Sequence, residues 1–342
     1  MKHRVQIAST SHAFTAPDNE TVLEAALLAG IHLPYGCRTG RCGACRGKIL
    51  QGVVRYDEKP AALDQDMEGC GLALFCQARA CTDLVIEIDE IEKLNQIKDI
   101  RTPAKVARLD RLSHDVMRVC LKLPDNIRLQ FFAGQYIDII QDNGERRSFS
   151  IANAPHDDEF IELHIRNIPG GEYTRYIFGQ IKPGDIMRIA APMGGFMLDE
   201  SSDRPIIMVG GGTGFAPLKG MLEHVFHSGH EKPVHLFRGA RSKCDLYLPD
   251  LPVAWARQYP LFQYTPILSD PRADDGWEGR TGLVHHAVMQ HYPDLGQMDI
   301  YISGAPAMVY AARDDFIGKG VPEERIFSDA FEFNSKQEKV TP

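Results

Sequence analysis

Tyr35-Gly-Cys-Arg-Thr-Gly-Arg-Cys-Gly-Ala-Cys-Arg46 and, further on, Leu74-Phe-Cys-Gln77 carry four cysteines in the spacing C-x4-C-x2-C…C. Thiolates so spaced are the ligand pattern of a 2Fe–2S cluster, in which they hold two irons bridged by sulfides. Three ligands drawn from one short loop require the chain to curl tightly, and Gly36, Gly40 and Gly43 supply the positive-φ and close-approach positions that such a curl demands. The expected metal ligands are Cys37, Cys42, Cys45 and Cys76. Tetrahedral zinc usually takes two close C-x2-C pairs or added histidines, and only one such pair is present. The remaining cysteines, Cys70, Cys81, Cys120 and Cys244, are expected to be small buried apolar residues rather than ligands.

Working outward, Met1-Lys-His-Arg-Val is followed by no apolar stretch of the secretory kind, so a cytoplasmic protein is expected. A reducing compartment argues against a disulfide framework for eight cysteines and for metal or redox use. The 342 residues, at roughly 100–200 per domain, leave room for two or three domains. No apolar run reaches the roughly 18 residues a membrane helix needs, so no membrane partner is expected. A formal net charge of −8 disfavours nucleic acid.

The chain reads as α+β and α/β, in several domains. Residues 1–93 hold the predicted cluster, with strands around Val5 and Ile7, His12–Phe14, Gly47–Leu50 and Leu84–Ile88. Thr21–Gly30 reads as a short helix with Thr21 and Glu24 as a capping box and Gly30 just past its end. This layout resembles the β-grasp fold of plant-type ferredoxins. Residues 94–102 look like a connector. From 103 to 202, short strands (Ala104–Leu109, Val116–Leu121, Tyr136–Ile140, Ser148–Ile151, Ile161–Ile165 and Ile186–Ala190) separated by Gly, Pro and Asp suggest a small antiparallel barrel. From 203 to 342, strands at Pro205–Val209, Val234–Phe237, Phe262–Ile267 and Asp299–Ile302 alternate with helical stretches near Leu218–His227, Leu283–His291 and Ala307–Ile317. That alternation argues an α/β domain with a parallel sheet.

Within the barrel, Arg147-Ser-Phe-Ser150 followed by Ile151-Ala-Asn153 is similar to the R-x-[YF]-S motif of the ferredoxin–NADP reductase superfamily. The resemblance implies FAD, with Arg147 at its pyrophosphate, Phe149 packed on the isoalloxazine and Ser150 hydrogen-bonding near N5, Ser148 lying between them. A guanidinium fork suits a diphosphate. The segment His164-Ile-Arg166 with Gly170-Gly-Glu-Tyr-Thr174 resembles that family's second flavin segment, in which backbone groups and a hydroxyl, here Thr174, meet the phosphates. His164, Arg166, Gly171 and Thr174 are therefore expected to bind cofactor.

Gly210-Gly-Gly-Thr-Gly214 is a strand-to-helix turn with too little side chain to block a diphosphate. It does not follow G-x-G-x-x-G, and no acidic residue lies ~20 positions on to take a ribose hydroxyl. It resembles the GGGTG-[FL]-AP signature of the same superfamily, which implies that Gly210, Gly211, Gly212, Thr213 and Gly214 face the phosphates of NAD(P)H. Ser303-Gly-Ala-Pro306 corresponds to a segment that often begins with cysteine beside the nicotinamide, so Ser303 stands where a thiol is usual. Arg241 lies where the adenosine ribose is expected, and NADH is favoured over NADPH because the basic cluster for a 2′-phosphate is incomplete. Ser328-Asp-Ala-Phe331 resembles the terminal segment that ends against the flavin, which implies that Phe331 covers the ring. The residues expected at the chemistry are thus Ser150, Ser303 and Phe331. His224, His227 and His230 do not share one helical face and read as surface residues.

Over nearly its whole length the chain resembles reductases with an N-terminal ferredoxin domain that feed bacterial oxygenases, and also the CDP-6-deoxy-glucoseen reductases. The resemblance implies an oxidoreductase that carries electrons from NAD(P)H through FAD and a 2Fe–2S cluster to a partner protein. That partner is an oxygenase component or, in the alternative, a pyridoxamine-dependent sugar dehydratase. Arg38, Arg41 and Arg46 flank the cluster ligands; they are expected either to offer a positive docking face or simply to keep the loop soluble.

Overall fold

The computed structural model describes residues 1–10, 12–91, 94, 97, 99–229 and 231–331; His230 and Glu92 lie outside the described residues. The chain divides into two compact units, one formed by Met1–Gln96 together with the segment from Ala330 onward and the other by Ile97–Asp329.

The first unit, among its described residues, is a five-stranded mixed sheet with a separate two-stranded ribbon and two helices. β1 (Lys2–Ile7) pairs antiparallel with β2 (Ala13–Pro17), and α1 (Val22–Leu28) follows. The capping box read from Thr21 and Glu24 is present: the Thr21 hydroxyl accepts from Glu24 N, and the Glu24 carboxylate accepts from Thr21 N at 2.9 Å. β3 (Arg46–Gln51), the two-residue β4 (Val54–Arg55), α2 (Gln65–Gly69), β5 (Leu72–Leu74), β6 (Arg79–Ala80) and β7 (Leu84–Glu87) complete it. The sheet order is β2-β1-β7-β3-β5, with β1 and β7 parallel at its centre. Val5, Ile7, Val22, Leu23, Ala26, Leu74, Phe75 and Ile86 are fully buried between the sheet and α1. This is the β-grasp arrangement expected from the sequence, and it presents the 35–45 loop and the Cys76 turn at the ends of β3 and β5.

The second unit begins with β8 (Ile100–Arg111), so Ile100, Arg101 and Thr102, read as connector, already belong to a strand. β9 (Val116–Lys122), β10 (Tyr136–Ile140), β11 (Arg146–Ser150), β12 (Ile161–Arg166), α3 (Glu172–Gly179) and β13 (Ile186–Met193) follow. Their order β11-β10-β13-β8-β9-β12 is antiparallel throughout, and an Ile151–Leu163 bridge closes the first strand onto the last. Closure removes both sheet edges. Val106, Val119, Leu121, Ile137, Leu163, Ile165 and Ile189 fill the interior.

The remainder is α/β. β14 (Ile206–Gly211) leads into α4 (Phe215–Ser228), then β15 (Val234–Ala240), α5 (Asp250–Gln258), β16 (Phe262–Leu268), β17 (Arg280–Thr281), α6 (Val284–His291), β18 (Asp299–Gly304), α7 (Pro306–Gly318) and β19 (Ile326–Ala330). The order β17-β16-β15-β14-β18-β19 places β14 at the topological switch, with β15 and β18 parallel on either side. In open α/β sheets that switch point is where ligands bind, beyond the carboxyl ends of the strands. Phe215, Leu218, Met221 and Leu222 of α4 pack with Tyr247, Trp255 and Phe262 on one face. Replacing Thr21 by Ala removes the helix cap and is expected to cost about 1 kcal/mol. Urea unfolding followed through visible cluster absorption should report the loss, with Thr21→Ser recovering most of it.

Candidate functional site

The 35–45 loop turns inward around sulfur. Arg38 adopts φ 58° and Gly40 φ 75°, and a Cβ on Gly40 would lie 2.8 Å from Pro60. Gly36 leaves room for the Cys42 sulfur, which would stand 3.2 Å from an added Cβ. Backbone N–H groups of Thr39 and Cys42 donate to Cys37 Sγ at 3.4 Å, Cys37 N donates to Cys42 Sγ at 3.4 Å, and Cys76 N donates to Cys45 Sγ at 3.5 Å. Gln77 reaches back to Arg38 O at 2.7 Å, tying the fourth cysteine's turn to the loop. The thiols associate two by two, Cys37 with Cys42 and Cys45 with Cys76. In each pair one thiol is drawn down by its partner's hydrogen bond, Cys37 to about 5 and Cys76 below its ordinary value. The other, Cys42 or Cys45, is driven up by the same bond and by burial. Such a pair releases one proton readily and the second only against like charge, unless a cation sits between the sulfurs. Two pairs so disposed match two irons with two terminal thiolates each, so the donor set fits the cluster.

The other cysteines differ from expectation. Cys120 is buried, but Cys70, Cys81 and Cys244 are exposed, because they fall at a helix cap and in surface turns rather than on core-facing strand positions.

In the barrel, β11 alternates its side chains. Arg147 and Phe149 lie on one face, Ser148 and Ser150 on the other. Arg147 is held by Glu145 at 2.8 Å. Phe149 packs against Tyr173 of α3, ring centroids 6.0 Å apart. Tyr173, which no motif in the sequence singles out, has a buried hydroxyl with no hydrogen-bond partner among the described residues. Beside it the N-cap of α3 is Gly171, which offers no capping side chain. An aromatic ring, an arginine, an orphan hydroxyl and an open helix N-terminus on one wall fit a flavin with its phosphates. Thr174 is engaged otherwise: its hydroxyl accepts from Ile168 N at 3.2 Å and so closes the loop. On the opposite face Ser148 donates to Asp138 at 2.7 Å, and Ser150 donates to Asp329 at 3.5 Å. Asp329, in β19, is a second residue that sequence reasoning passed over.

His164 is turned inward. Its Nε2 bonds Glu162 at 2.8 Å and its Nδ1 the Tyr247 hydroxyl at 3.1 Å, leaving only its main chain to meet a ligand. Burial pushes its pKa down, so the ring is neutral, with Nε2–H donating and Nδ1 accepting. Burial would raise Glu162, but the bond from His164 and the charge of Lys219 at 3.4 Å hold it at about 2. Arg166 is anchored by Asp115 at 2.6 Å and lies against Gly212.

At the switch point, Gly214 touches the end of β18: an added Cβ would lie 2.0 Å from Ser303 O. Gly212, at φ 55°, faces only the movable tip of Arg166, so it is the glycine whose open side can admit a ligand. Thr213 is half-buried between them. Gly210 sits level with Ser303 on β18 and with Arg238 on β15. Ser303 is fully buried and its hydroxyl has no partner among the described residues. Arg238 is 1% exposed, its guanidinium 4.0 Å over Phe215 and 4.6 Å over Tyr247, with the Tyr264 hydroxyl beside it. Arg241 stands in solvent, 3.9 Å from Asp270. Phe331 follows β19 directly and is half-buried. His224 bonds Glu200 at 2.7 Å, and exposed His227 stacks on His156.

Family models match the three regions in order: a 2Fe-2S iron-sulfur cluster binding domain over residues 5–81, an oxidoreductase FAD-binding domain over 103–198 and an oxidoreductase NAD-binding domain over 208–314. The chain is 36% identical over 331 residues to CDP-6-deoxy-L-threo-D-glycero-4-hexulose-3-dehydrase reductase of Yersinia pestis, covering 97% of this chain and 99% of that protein. It is 34% identical to terephthalate 1,2-dioxygenase reductase component 2 of a Comamonas species, covering 97% and 98%. The crystal structure of the Amycolatopsis cytochrome P450 reductase GcoB superposes with a TM-score of 0.80 at 30% identity, over 96% of this chain and 98% of that one. The chain therefore belongs to the iron–sulfur flavoprotein reductases that join these three domains in one polypeptide. It is an NAD(P)H-dependent oxidoreductase that uses FAD and a 2Fe–2S cluster.

Tyr173→Phe should stabilise the FAD-free protein by removing an unsatisfied buried hydroxyl and weaken FAD binding about ten-fold. Thermal melts of both forms and FAD titration check the two signs. Glu162, depressed in the folded state, contributes stability that is complete above its ordinary pKa near 4.5 and is lost as pH falls toward 2. Glu162→Gln should be less stable at pH 7 and show a flatter stability profile across that window, as read by urea unfolding at each pH.

Proposed function

We propose that this chain draws electrons from NADH and delivers them singly to a separate protein, an oxygenase component. In this reading residues 1–93 form the cluster domain on Cys37, Cys42, Cys45 and Cys76, the linker ends before β8, the flavin domain runs from Ile100 to 202, and 203–342 form the nucleotide domain. The observation that carries it is the coexistence, in one chain, of two thiol pairs and a barrel wall lined by Arg147, Phe149 and the orphan hydroxyl of Tyr173. A hydride brings two electrons and a 2Fe–2S cluster takes one at a time; a bound flavin supplies the exchange between them.

The side chains serve that chemistry by position. Arg147 offers a two-pronged donor to a diphosphate, and α3, capped only by Gly171, offers N–H groups. Ser150 keeps its hydroxyl proton directed at Asp329, and Ser303 brings an unpaired hydroxyl to the head of the parallel sheet. Gly212 leaves the turn open, with Arg166 alongside to meet negative charge. Arg241 accompanies the adenosine end, and the Asp270 carboxylate beside it disfavours an additional phosphate, which supports NADH. Phe331 is assigned to cover the flavin. No helix among the described residues is long and apolar enough to cross a membrane, and a cytoplasmic location belongs to this reading. The hexulose-dehydrase reductase relative favours a second acceptor, a sugar dehydratase; reconstitution with each kind of partner separates the two.

Anaerobic NADH titration followed by visible and low-temperature EPR spectra should show flavin bleaching and then a rhombic iron–sulfur signal. Cys76→Ala should lose at least ten-fold of cytochrome c reduction while keeping most ferricyanide reduction. Loss of both in a folded, FAD-containing variant would overturn the order of carriers.

A further inference from the structure

A second group of metal-ligating side chains is formed by residues other than those assigned to the cluster, the flavin or the nucleotide. His285 and His286 open α6, and Asp315 stands in α7, which packs beside it. One oxygen, Asp315 Oδ2, is 3.3 Å from His285 Nε2 and 3.5 Å from His286 Nε2, and the three donor atoms all lie within 4.8 Å of one another. These separations are long for a charge-assisted hydrogen bond, which is about 2.7–2.9 Å. They are the right length for neighbouring ligands on one ion: bonds of about 2.0–2.1 Å around a tetrahedral centre set donors about 3.4 Å apart. His285 is 3% exposed, so packing fixes its ring, whereas His286 and Asp315 are open to solvent and give an ion a way in.

From this geometry we propose that His285, His286 and Asp315 form a binding site for a late first-row divalent cation, with Zn2+ as the representative ion and water in the fourth position. Two imidazoles and one carboxylate select against Mg2+ and Ca2+, which take oxygen ligands in larger number. His285 Nδ1 is buried without a partner among the described residues, so none of them gives the ring the outer hydrogen bond that tightens many metal sites. An ion held here links α6 to α7, the two helices that begin beside β15 and directly after Ser303-Gly304.

The test uses tag-free full-length protein with its cluster and FAD in place, titrated with Zn2+ in chelator-treated buffer. Wild type should bind one Zn2+ and melt roughly 5 °C higher when the site is saturated. Zn K-edge absorption should show only nitrogen and oxygen neighbours near 2.0–2.1 Å, not the sulfur distance of about 2.3 Å expected if zinc entered the cysteine site. His286→Ala and Asp315→Asn, checked for FAD content and NADH–ferricyanide activity without zinc, should each weaken binding at least ten-fold and lose the thermal shift. Wild type that binds no zinc, sulfur ligation of the bound ion, or variants that bind as tightly as wild type would each overturn the proposal.

Discussion

A buried lysine joins the barrel to the parallel sheet, and the reductase chemistry depends on that join. Lys219, in the second turn of α4, donates to Ala152 O at 3.0 Å just past β11, and its ammonium meets Glu162 of β12 and Glu223 of its own helix. From Glu162 the contacts continue through His164 to Tyr247 on the nucleotide side. Removing one member leaves a buried charge uncompensated, which costs far more than an exposed ion pair contributes. Hydride exchange requires two bound rings to meet at contact distance. A chain of fixed hydrogen bonds between the two layers that hold them meets that requirement better than apolar packing alone, which tolerates sliding.

The same logic accounts for the glycine turn. Gly214 lets α4 begin against the carbonyl of Ser303, so the positions of α4 and the end of β18 are mutually determined. Lys219 is one turn further along α4. The packing that brings Gly214 to β18 therefore also sets where the lysine reaches the barrel, and the nucleotide turn and the inter-layer join form one mechanical piece.

Local signals were legible in the sequence. The cysteine spacing, the Thr21–Glu24 box and the strand of Tyr136–Ile140 each depend on residues close in the chain, and the structure shows the box and strand as read. Residues whose importance comes from distant partners were not legible. Tyr173 reads as one aromatic in a turn until Phe149 is set beside it, and Asp329 is an unremarked acid until β19 brings it to Ser150. His164 is a different case: resemblance singles out the segment, but a strand's alternation decides which side the ring takes, and Tyr247 lies too far along the chain to foresee. The helix Asp250–Gln258 was missed because Pro252 and its exposed polar side chains weaken the apolar periodicity.

Arg238 has a consequence for behaviour in salt. Its guanidinium is enclosed by aromatic rings, level with Gly210 and out of reach of mobile ions. Ionic screening weakens attraction between exposed charges but acts poorly on one sealed in a medium of low polarisability. The nucleotide lobe thus carries a built-in positive field near its glycine turn that persists at ionic strengths where surface arginines such as Arg241 have lost most of their pull.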